Sequence, residues 1–376
     1  MGLVAFTFDR ELTGQFVRFP YRLYRDDAGW VPPLETAVYA QLDRSAEFFR
    51  QPGNAHRHFI ARLGSRTLGR VTASIHAALK DESGAPIGCL GHFEAERDHA
   101  VAADLIGAAV RWLRDRYAAR RIWGPIDLDV WHGYRMMTAG FAERRFLGEP
   151  YNPPYYPELF ERCGFGVRQR WHSYEVPAAT TYESYERLGR ARAQALRAMG
   201  YRFVPFDRAR LGADLRKLHD LLLRSYGHFP ALTPISAREF ERIARPLRYA
   251  LLPGAALFVH NGHDEPCGFA VAPLDLADAL RAMRGCDSLL SRVRFLRVRR
   301  RTRRAFLHMV GLVPEEARRG SGLGAALIAT VLESLRGQGR GAQLAALVAE
   351  KSPSRGHIER AGARATREYA LYEALP

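Results

Sequence analysis

The chain has 376 residues, which is long for one domain and predicts two domains of ordinary size. Hydrophobic residues make up 47% of it, which supports two packed cores and excludes a largely disordered protein. No apolar run approaches the length of a membrane-spanning helix, and the N-terminus lacks the pattern of a signal peptide. Four cysteines lie far apart without a CxxC pair, so we expect neither disulfides nor a metal site and predict a cytoplasmic protein.

Hydrophobic periodicity predicts alternating strands and helices in the first half of the chain. The predicted elements are a strand at 3–8, a helical aromatic segment over 16–42 interrupted at 30–34, a hairpin of 59–63 and 70–76, a strand at 87–94, a helix at 102–118, a strand ending at 123, a helix at 156–163 and a strand at 168–176.

A similar order recurs in the second half, at a period of roughly 190 residues. It comprises a helical stretch at 181–200, a strand at 201–206, helices at 212–225 and 236–250, a hairpin of 256–260 and 267–272, a strand, glycine turn and helix over 307–335, a strand at 342–349, a short helix at 354–361 and a strand at 366–371. The repeat predicts two tandem folds of the α+β (α/β) class, each with a mixed central sheet flanked by helices. We place the domains at 1–178 and 201–376, with a helical linker at 179–200.

The turn before the helix at 323–335 reads RGSGLG over residues 319–324. Glycines permit positive φ and let a ligand approach the main chain, and successive amides at a helix start form a nest for an anion. The spacing is neither that of a dinucleotide fingerprint nor that of a Walker loop. The turn therefore predicts a phosphate or pyrophosphate site, against the alternative of a helix entry that binds nothing.

A strand followed by Arg-x-x-Gly-x-Gly and an amphipathic helix resembles the acyl-CoA-binding motif of the GCN5-related N-acetyltransferases (GNAT). The first-half segments FPYRLYRDDAGWVPPL and EPYNPPYYPELFERCGF resemble a bacterial group of tandem proteins of this kind. The resemblance implies acetyl-CoA or another acyl-CoA as co-substrate, with its pyrophosphate on the turn and its pantetheine arm along the preceding strand. The binding residues that it implies are Val310, Leu312, Val313, Arg319, Gly320, Ser321, Gly322, Leu323, Gly324 and Ala325. Because Pro314 stands farther from the glycines than is usual in the family, we expect a longer turn.

The first half lacks such a turn. Its corresponding segment, AERDH at 95–99, has two acids and no glycine, and the acids would repel a pyrophosphate, so we expect no CoA there. The later segment NPPYY nevertheless resembles the second motif of the family. We therefore predict that Asn152, Tyr155 and Tyr156 line a substrate pocket between the domains.

Acyl transfer to an amine needs a deprotonated nucleophile, stabilisation of the developing oxyanion and a proton for the leaving thiolate. The family resemblance implies that main-chain amides at 310–312 stabilise the oxyanion. The candidate bases are Glu350 and His308, and the candidate acid is Tyr372, because Glu359 stands where the family's usual tyrosine would be. Each has a structural alternative, namely a solvated carboxylate, a core histidine and a packed tyrosine.

The net charge of +16 is concentrated in the second half, because residues 1–177 hold 23 basic against 21 acidic residues. The segment 292–304 alone holds eight arginines and no acid. As a helix it would place an apolar face among the arginines, formed by Leu289, Leu290, Val293, Leu296 and Val298. The simplest interpretation is a solvated helix. The alternatives are binding of the 3′-phosphate of CoA, an acyl-carrier protein, RNA or an anionic membrane; no nucleic-acid motif supports the third.

The sequence thus predicts an acyl-CoA-dependent N-acyltransferase for the amine of a small molecule or amino acid. One alternative is a transferase that uses aminoacyl-tRNA or an acyl-carrier protein as donor. Another is a non-catalytic CoA-binding or scaffolding protein on a decayed GNAT fold. Fold alone argues function weakly, so the acyl chain and the acceptor stay open.

Overall fold

The structure is a computed structural model that describes residues 1–175, 180–227, 229, 231–360 and 362–375. Its strands are β1 (Gly2–Phe6), β2 (Ala55–Leu63), β3 (Arg66–Lys80), β4 (Pro86–Ala95), β5 (Ile122–Gly124), β6 (Met136–Ala139), β7 (Gly166–Glu175), β8 (Arg202–Pro205), β9 (Ala256–His260), β10 (Pro266–Val271), β11 (Arg304–Leu307), β12 (Met309–Leu312), β13 (Gly341–Ala349) and β14 (Arg364–Ala374). Its helices are α1 (Arg10–Leu23), α2 (Glu35–Leu42), α3 (Glu47–Arg50), α4 (His99–Tyr117), α5 (Tyr156–Arg162), α6 (Thr180–Ala198), α7 (Leu211–Tyr226), α8 (Ala237–Ala244), α9 (Ala277–Met283), α10 (Leu289–Arg301), α11 (Pro314–Arg319), α12 (Leu323–Gly337) and α13 (Pro353–Arg360).

The predicted helices at 102–118 and 323–335 are confirmed as α4 and α12. Both bury residues that recur at helical spacing, for example Leu323, Leu327 and Val331 in α12. The glycine turn is preceded by the short helix α11, so the longer turn expected from the position of Pro314 is confirmed. The long connection at 274–305 contains two helices, α9 and α10.

The predicted fold class is confirmed, since two sheets are flanked by helices. The larger sheet has the strand order β1-β2-β3-β4-β5-β14-β7-β13-β11, with β6 also paired to β14. The smaller sheet has the order β12-β10-β9-β8. Because β11 and β12 are separated only by His308, a single stretch of chain passes from one sheet to the other.

Strand β14 lies inside the first half of the molecule. It pairs antiparallel with β5 on one side and with β7 on the other. Strand β7 in turn pairs with β13 of the second half. Each half therefore lends its last strand to the sheet of the other. The predicted boundaries at 178 and 200 stay a prediction, but the larger sheet runs across them without a break.

The side chains of β14 contribute to two cores. Ala370 and Tyr372 pack in the cluster beneath α4, with Leu105, Ile106 and Phe160 among its members. Tyr369 and Leu371 point to the opposite face and pack in a second cluster that includes Trp171. This alternation is what a strand buried on both faces requires. A third and larger cluster lies in the second half, around β9, β10 and α12.

A buried ion pair also fixes β14 to the first half. Nε of Arg367 donates to Oε1 of Glu149 at 3.0 Å, and neither side chain is exposed to solvent. The other carboxylate oxygen accepts from the main-chain N–H of Phe146 at 3.0 Å. Removal of one partner of such a pair leaves the other charge buried without compensation, which is strongly destabilising.

We therefore expect Glu149→Ala to lower the free energy of unfolding by about 3–5 kcal/mol, since Arg367 would remain buried without its carboxylate. Urea denaturation followed by circular dichroism measures the change. The control is Arg162→Ala, which removes the exposed pair with Glu158 and should cost less than about 1 kcal/mol. Equal, small losses in both variants would contradict the prediction.

Candidate functional site

The glycine turn has the geometry of an anion nest. Gly320 and Gly322 both have left-handed backbones, with φ of 61° and 79°. A Cβ atom added at Gly320 would meet nothing within 4 Å, so this side of the turn is open. Gly322 is the residue before α12, and its carbonyl accepts the first intrahelical bond, from the N–H of Ala326 at 3.0 Å. Glycine is required at such positions because other residues adopt these angles with strain.

The amides at the start of α12 have no protein acceptor within the described chain. No side chain caps this helix. The N–H groups of Leu323, Gly324 and Ala325 precede the first intrahelical bond, so they lack intrahelical acceptors as well. The hydroxyl of Ser321 is enclosed and also without a hydrogen-bond partner. Together these donors and the helix dipole favour one negatively charged group in front of the turn.

Two arginines stand beside this nest. Arg319 donates to Glu316 at 2.6 Å and to the hydroxyl of Tyr201 at 3.2 Å, so part of its charge is neutralised by a protein carboxylate. Arg192 of α6 passes close to Gly322, with its Cδ 3.3 Å from the position of an added Cβ. Helix α6 packs this closely because of Gly189, where a Cβ would lie 2.5 Å from the Cβ of Ala329. The sequence did not indicate Arg192, since nothing in the linker pattern places it at the turn.

A fork between β12 and β13 leads from the turn into the molecule. Strand β11 pairs in parallel with β13 as far as Leu307 and Ala345. Beyond that point β12 pairs with β10, while β13 keeps β7 as the neighbour on its other edge. In the described sheet β12 is an edge strand, so the main-chain groups on its free side face the fork. Among the predicted cofactor residues, the carbonyl of Val310 accepts from the hydroxyl of Tyr226 at 2.8 Å.

His308 lies where the fork begins. Its main-chain N–H donates to the carbonyl of Val271 at 3.0 Å, while the side-chain Nδ1 is enclosed and has no hydrogen-bond partner in the described chain. Burial and, to a smaller extent, the positive charge of Arg135 together lower its pKa to about 4. The imidazole is therefore neutral near pH 7 and has a free nitrogen lone pair or N–H.

The other two predicted catalytic residues lie in different surroundings. Glu350 is exposed at the end of β13, with its carboxylate 3.9 Å from Arg355. Tyr372 is buried against Phe160 on the α5 side of the sheet, and its hydroxyl donates to Glu161 at 3.3 Å. Burial raises the pKa of Tyr372 above its ordinary value. The structure does not bring Tyr372 to the fork, because β14 belongs to the sheet of the first half.

The predicted substrate residues are engaged by protein. Asn152 is buried, accepts from the N–H of Met137 at 2.7 Å and donates to the carbonyls of Met137 and Pro153. The hydroxyl of Tyr155 donates to the carbonyl of Ala95 at 2.8 Å. The hydroxyl of Tyr156 donates to Glu94 at 2.8 Å and accepts from the N–H of Ala95. These bonds hold β4, β6 and α5 together, so a direct contact between these residues and a substrate stays a prediction without structural support.

The corresponding helix of the first half is capped by its own acid. Asp98 precedes α4 and accepts from the N–H groups of Ala100 and Val101 at 2.8 and 3.4 Å. Its carboxylate occupies the place where an anionic ligand would bind. The gap beside β4 is also filled by chain, since the N–H of Ile126 donates to the carbonyl of Leu90 at 2.7 Å. The expectation that the first half binds no CoA stays a prediction, and this geometry favours it.

The arginine-rich segment forms α10, as predicted, but its apolar residues are not buried. Leu289 is 80% exposed and Leu290 is 60% exposed, and Val293 and Leu296 are exposed on the same helix. Phe295 and Val298 pack against the second-half core instead. Next to this helix lies a cavity of about 370 Å³ whose lining includes Arg208, Arg248 and Arg299. The surface of α10 therefore combines exposed leucines with arginines.

Neither a membrane span nor a metal cluster is found where the structure describes the chain. None of the described helices combines the length and apolar character that crossing a bilayer needs. The described histidines, cysteines and carboxylates form no group of three that could hold a metal ion.

His308→Gln is expected to make folding less sensitive to acid. The pKa of His308 is about 4 in the fold against 6.5 ordinarily, so between these values the unfolded chain binds more protons and stability falls as the pH is lowered. Loss of this contribution should reduce the slope of unfolding free energy against pH by up to about 1.4 kcal/mol per pH unit. Urea titrations between about pH 4.5 and 6.5 measure the slope, with exposed His263→Gln as control. An unchanged slope in His308→Gln would contradict the buried, neutral state.

Comparisons with known proteins agree with this architecture. No protein-family model matches the sequence. Protein YghO of Escherichia coli (strain K12) is 25% identical over 295 residues, which are 76% of this chain and 71% of that protein. A tandem GNAT protein from the clavulanic acid biosynthesis pathway superposes with a TM-score of 0.56 at 15% identity, covering 100% of this chain and 98% of that one.

A second similar structure is a GCN5-related N-acetyltransferase from Anabaena variabilis, with a TM-score of 0.52 at 8% identity, covering 99% of this chain and 72% of that one. At sequence identities of 8–15%, these superpositions establish the fold alone. The chain therefore has the tandem GNAT fold.

Proposed function

We propose that this protein is an acyl-CoA-dependent N-acyltransferase that acts on the amine of a small molecule or amino acid, with acetyl-CoA or another acyl-CoA as co-substrate. The observation that carries the proposal is the uncapped start of α12 behind two left-handed glycines. The contrast with α4, which Asp98 caps, supports it, because only the second-half helix keeps its amides for an external anion.

The residues of the second half fit such a co-substrate. The amides of residues 323–325 and the hydroxyl of Ser321 would hold the pyrophosphate, with Arg192 and Arg319 nearby to balance its charge. The free edge of β12 would pair with the amide groups of the pantetheine arm, as a strand edge does with an added strand. This arrangement uses the main chain of Leu312 and the N–H of Val310, because the carbonyl of Val310 already accepts from Tyr226. Val313 stays without support as a binding residue, since its N–H donates to Cys267 and its carbonyl accepts from Ala317.

An acyl-CoA would supply a thioester whose C–S bond breaks as the amine nitrogen bonds to the acyl carbon, and the proton lost by the amine balances the proton gained by the thiol. His308 is neutral and stands where the fork begins, so we assign it the positioning or acceptance of a proton. Glu350, exposed at the end of β13, is a second candidate for proton removal. The placement of Tyr372 gives its predicted role as the acid no support.

Gly324→Asp tests the proposal without a steric change. A Cβ at Gly324 would have its nearest neighbour, Cδ1 of Leu312, at 4.0 Å, so the side chain fits. An acid in the first helical turn suits the dipole and should not destabilise the fold, yet it would repel a pyrophosphate. We expect the affinity for acetyl-CoA in isothermal titration calorimetry to fall by about 10-fold or more, which is about 1.4 kcal/mol.

The matched control for this experiment is Gly324→Ala, which adds the Cβ without the charge and should bind acetyl-CoA as the unaltered protein does. If Gly324→Asp binds equally well, the anion does not sit on this turn. If the unaltered protein binds no acetyl-CoA at millimolar concentration, the proposed donor is wrong.

A second candidate function is favoured by the surface of α10, which would suit an acyl-carrier protein as donor. Such a partner would present acids to the arginines and apolar groups to Leu289, Val293 and Leu296. Binding of nucleic acid, including aminoacyl-tRNA, would use the arginines but not the leucines, and is therefore the weaker interpretation.

Charge reversal on α10 tests this second candidate. We expect the double variant Arg297→Glu/Arg300→Glu to lose about 10-fold or more in affinity for an acyl-carrier protein, because two attractive contacts become repulsive. The control is Arg116→Glu/Arg120→Glu, which makes the same change of charge on exposed residues of the first half. Fluorescence anisotropy at two salt concentrations measures both. Equal affinity of the two double variants would exclude α10 as the docking surface.

A third possibility is a protein that binds CoA without catalysis. In such a protein Gly324→Asp would also weaken acetyl-CoA binding in calorimetry. The two possibilities differ in turnover, because a non-catalytic protein would release no free thiol from acetyl-CoA with any amine of a broad panel.

A further inference from the structure

Two arginines of the first half, the buried Arg145 and the half-buried Arg135, lack a carboxylate in direct contact among the described residues. Arg145 is 3% exposed, and its Nη2 is enclosed without an acceptor. The Nε of Arg135 is likewise enclosed without an acceptor. Within the described residues neither side chain donates a hydrogen bond or lies in an ion pair. Buried charges are ordinarily paired, so this pair of residues is an exception that needs a cause.

Other buried arginines of this chain follow the ordinary rule. Arg70 donates to the carbonyl of Phe16 at 2.7 Å and has the carboxylate of Glu94 at 3.9 Å. Arg367 has the carboxylate of Glu149 and the carbonyl of Arg144. The fold can therefore satisfy a buried guanidinium. At Arg135 and Arg145 it does not.

Aromatic rings hold both unpaired guanidinium groups in place. The Cζ of Arg135 lies 3.8 Å from the ring centre of Tyr134 and 4.7 Å from that of Trp171. The Cζ of Arg145 lies 3.5 Å from the ring centre of Tyr151. Stacking on a ring orients a guanidinium and leaves its in-plane N–H donors free for a planar anion. The backbone of Arg135 has a φ of 79°, so its side chain is held there against local strain.

The two stacks belong to one cluster. Trp171 and Tyr369 are members of one buried cluster, and Tyr134 and Tyr151 pack against it. Glu149 is paired with Arg367 and accepts from the N–H of Phe146, and its charge also acts on Arg145 and on the enclosed hydroxyl of Tyr369. One carboxylate thus serves Arg367 and Arg145, and Arg135 has none, so the cluster carries an excess of positive charge. Burial lowers the pKa of Arg135 to about 9 and that of Arg145 to about 10, which still leaves both charged at neutral pH.

The cluster lies at the fork between β12 and β13. Leu347 and Ala349 of β13 pack against it, beyond the point at which β13 leaves β11. Trp171 of β7 is paired with Ala349 on one side and with Tyr369 on the other. The charge of Arg135 also reaches His308, whose pKa it helps to lower. Arg135 is therefore close to the start of the fork, and Arg145 stacks on Tyr151 of the same cluster.

We propose that Arg135 and Arg145, with the hydroxyl of Tyr369, bind the carboxylate of the acceptor, so that the substrates of this protein are amino acids or other amines that carry a carboxylate. This rests on the proposed N-acyltransferase function and adds the substrate class to it. The carboxylate neutralises the buried charge that the protein leaves uncompensated. The amine of the same molecule is then directed along the fork towards His308 and the free edge of β12.

The test compares each of the twenty amino acids with its amide, which keeps the amine and side chain but lacks the negative charge. Sodium acetate against sodium chloride at equal ionic strength serves as a general carboxylate probe. Binding is measured by thermal shift and calorimetry on the full chain without any CoA. We expect one or more amino acids to bind with at least about 10-fold preference over the amide, equivalent to about 1.4 kcal/mol.

The variants Arg135→Met and Arg145→Met should each weaken this binding by about 10-fold or more. The matched control is Arg97→Met, which removes an exposed arginine that stacks on Tyr155 elsewhere in the first half. Without ligand, Arg145→Met should unfold at the same or a higher temperature than the unaltered protein, because it removes an uncompensated buried charge. A loss of several degrees would mean that the guanidinium serves the fold instead.

The proposal is overturned if amino acids and acetate stabilise the unaltered protein no more than they stabilise the Arg135→Met variant. It is also overturned if the amino acid amides bind as tightly as the amino acids. Acetyl-CoA titration of Arg135→Met separates this outcome from failure of the proposed function. If acetyl-CoA still binds but amino acids and their amides bind equally well, only the proposed substrate class is wrong. If carboxylates bind but acetyl-CoA does not, only the proposed acyl-CoA donor is wrong.

Discussion

The structure depends on the hydrogen-bonded pairing of β14 with β5 and β7. A strand inside a sheet satisfies the backbone groups of both neighbours, and here those neighbours belong to the first half while the strand belongs to the second. Removal of β14 would leave two strand edges open and two cores without their central side chains. The two halves are therefore one cooperative unit, although their elements recur in nearly the same order.

This shared sheet divides the work between the halves. In the first half Asp98 caps the start of α4 and Ile126 fills the gap beside β4, so neither place is open to an anionic ligand. In the second half the helix start is uncapped and β12 keeps a free edge. The first half instead supplies aromatic rings and Arg135 near the start of the fork. In the functions proposed above, the second half holds the cofactor and the first half contacts the second substrate.

The sequence was informative where structure is set by neighbours along the chain. The glycine spacing and the apolar period of 323–335 predicted the turn and α12, because both depend on φ preferences and on burial of one helical face. The resemblance of these residues to the GNAT motif led to the tandem fold. The larger separation between Pro314 and the glycines predicted a longer turn, and the structure forms the short helix α11 there.

What the sequence did not predict depends on contacts between distant segments. Tyr372 was a candidate acid because Glu359 stands at the position of the family's usual tyrosine, but the pairing of β14 with β5 and β7 takes Tyr372 to the α5 side. Asn152 and Tyr156 were assigned to a pocket from the resemblance of NPPYY to the family's second motif, and their polar atoms hold strands and helix together. Arg135 gave no local signal at all. Its isolation from carboxylates is visible only once loop, β7 and β14 are assembled.

Strand exchange also has a consequence for biosynthesis. During translation β5 and β7 emerge long before β14, so the nascent first half waits with unpaired edges and with the places of Tyr369 and Tyr372 empty. Exposed edges and apolar surface of this kind are what chaperones recognise and what aggregates form from. The sheet of the first half is therefore complete only after β14 has been synthesised, and until then its open edges favour association with other chains.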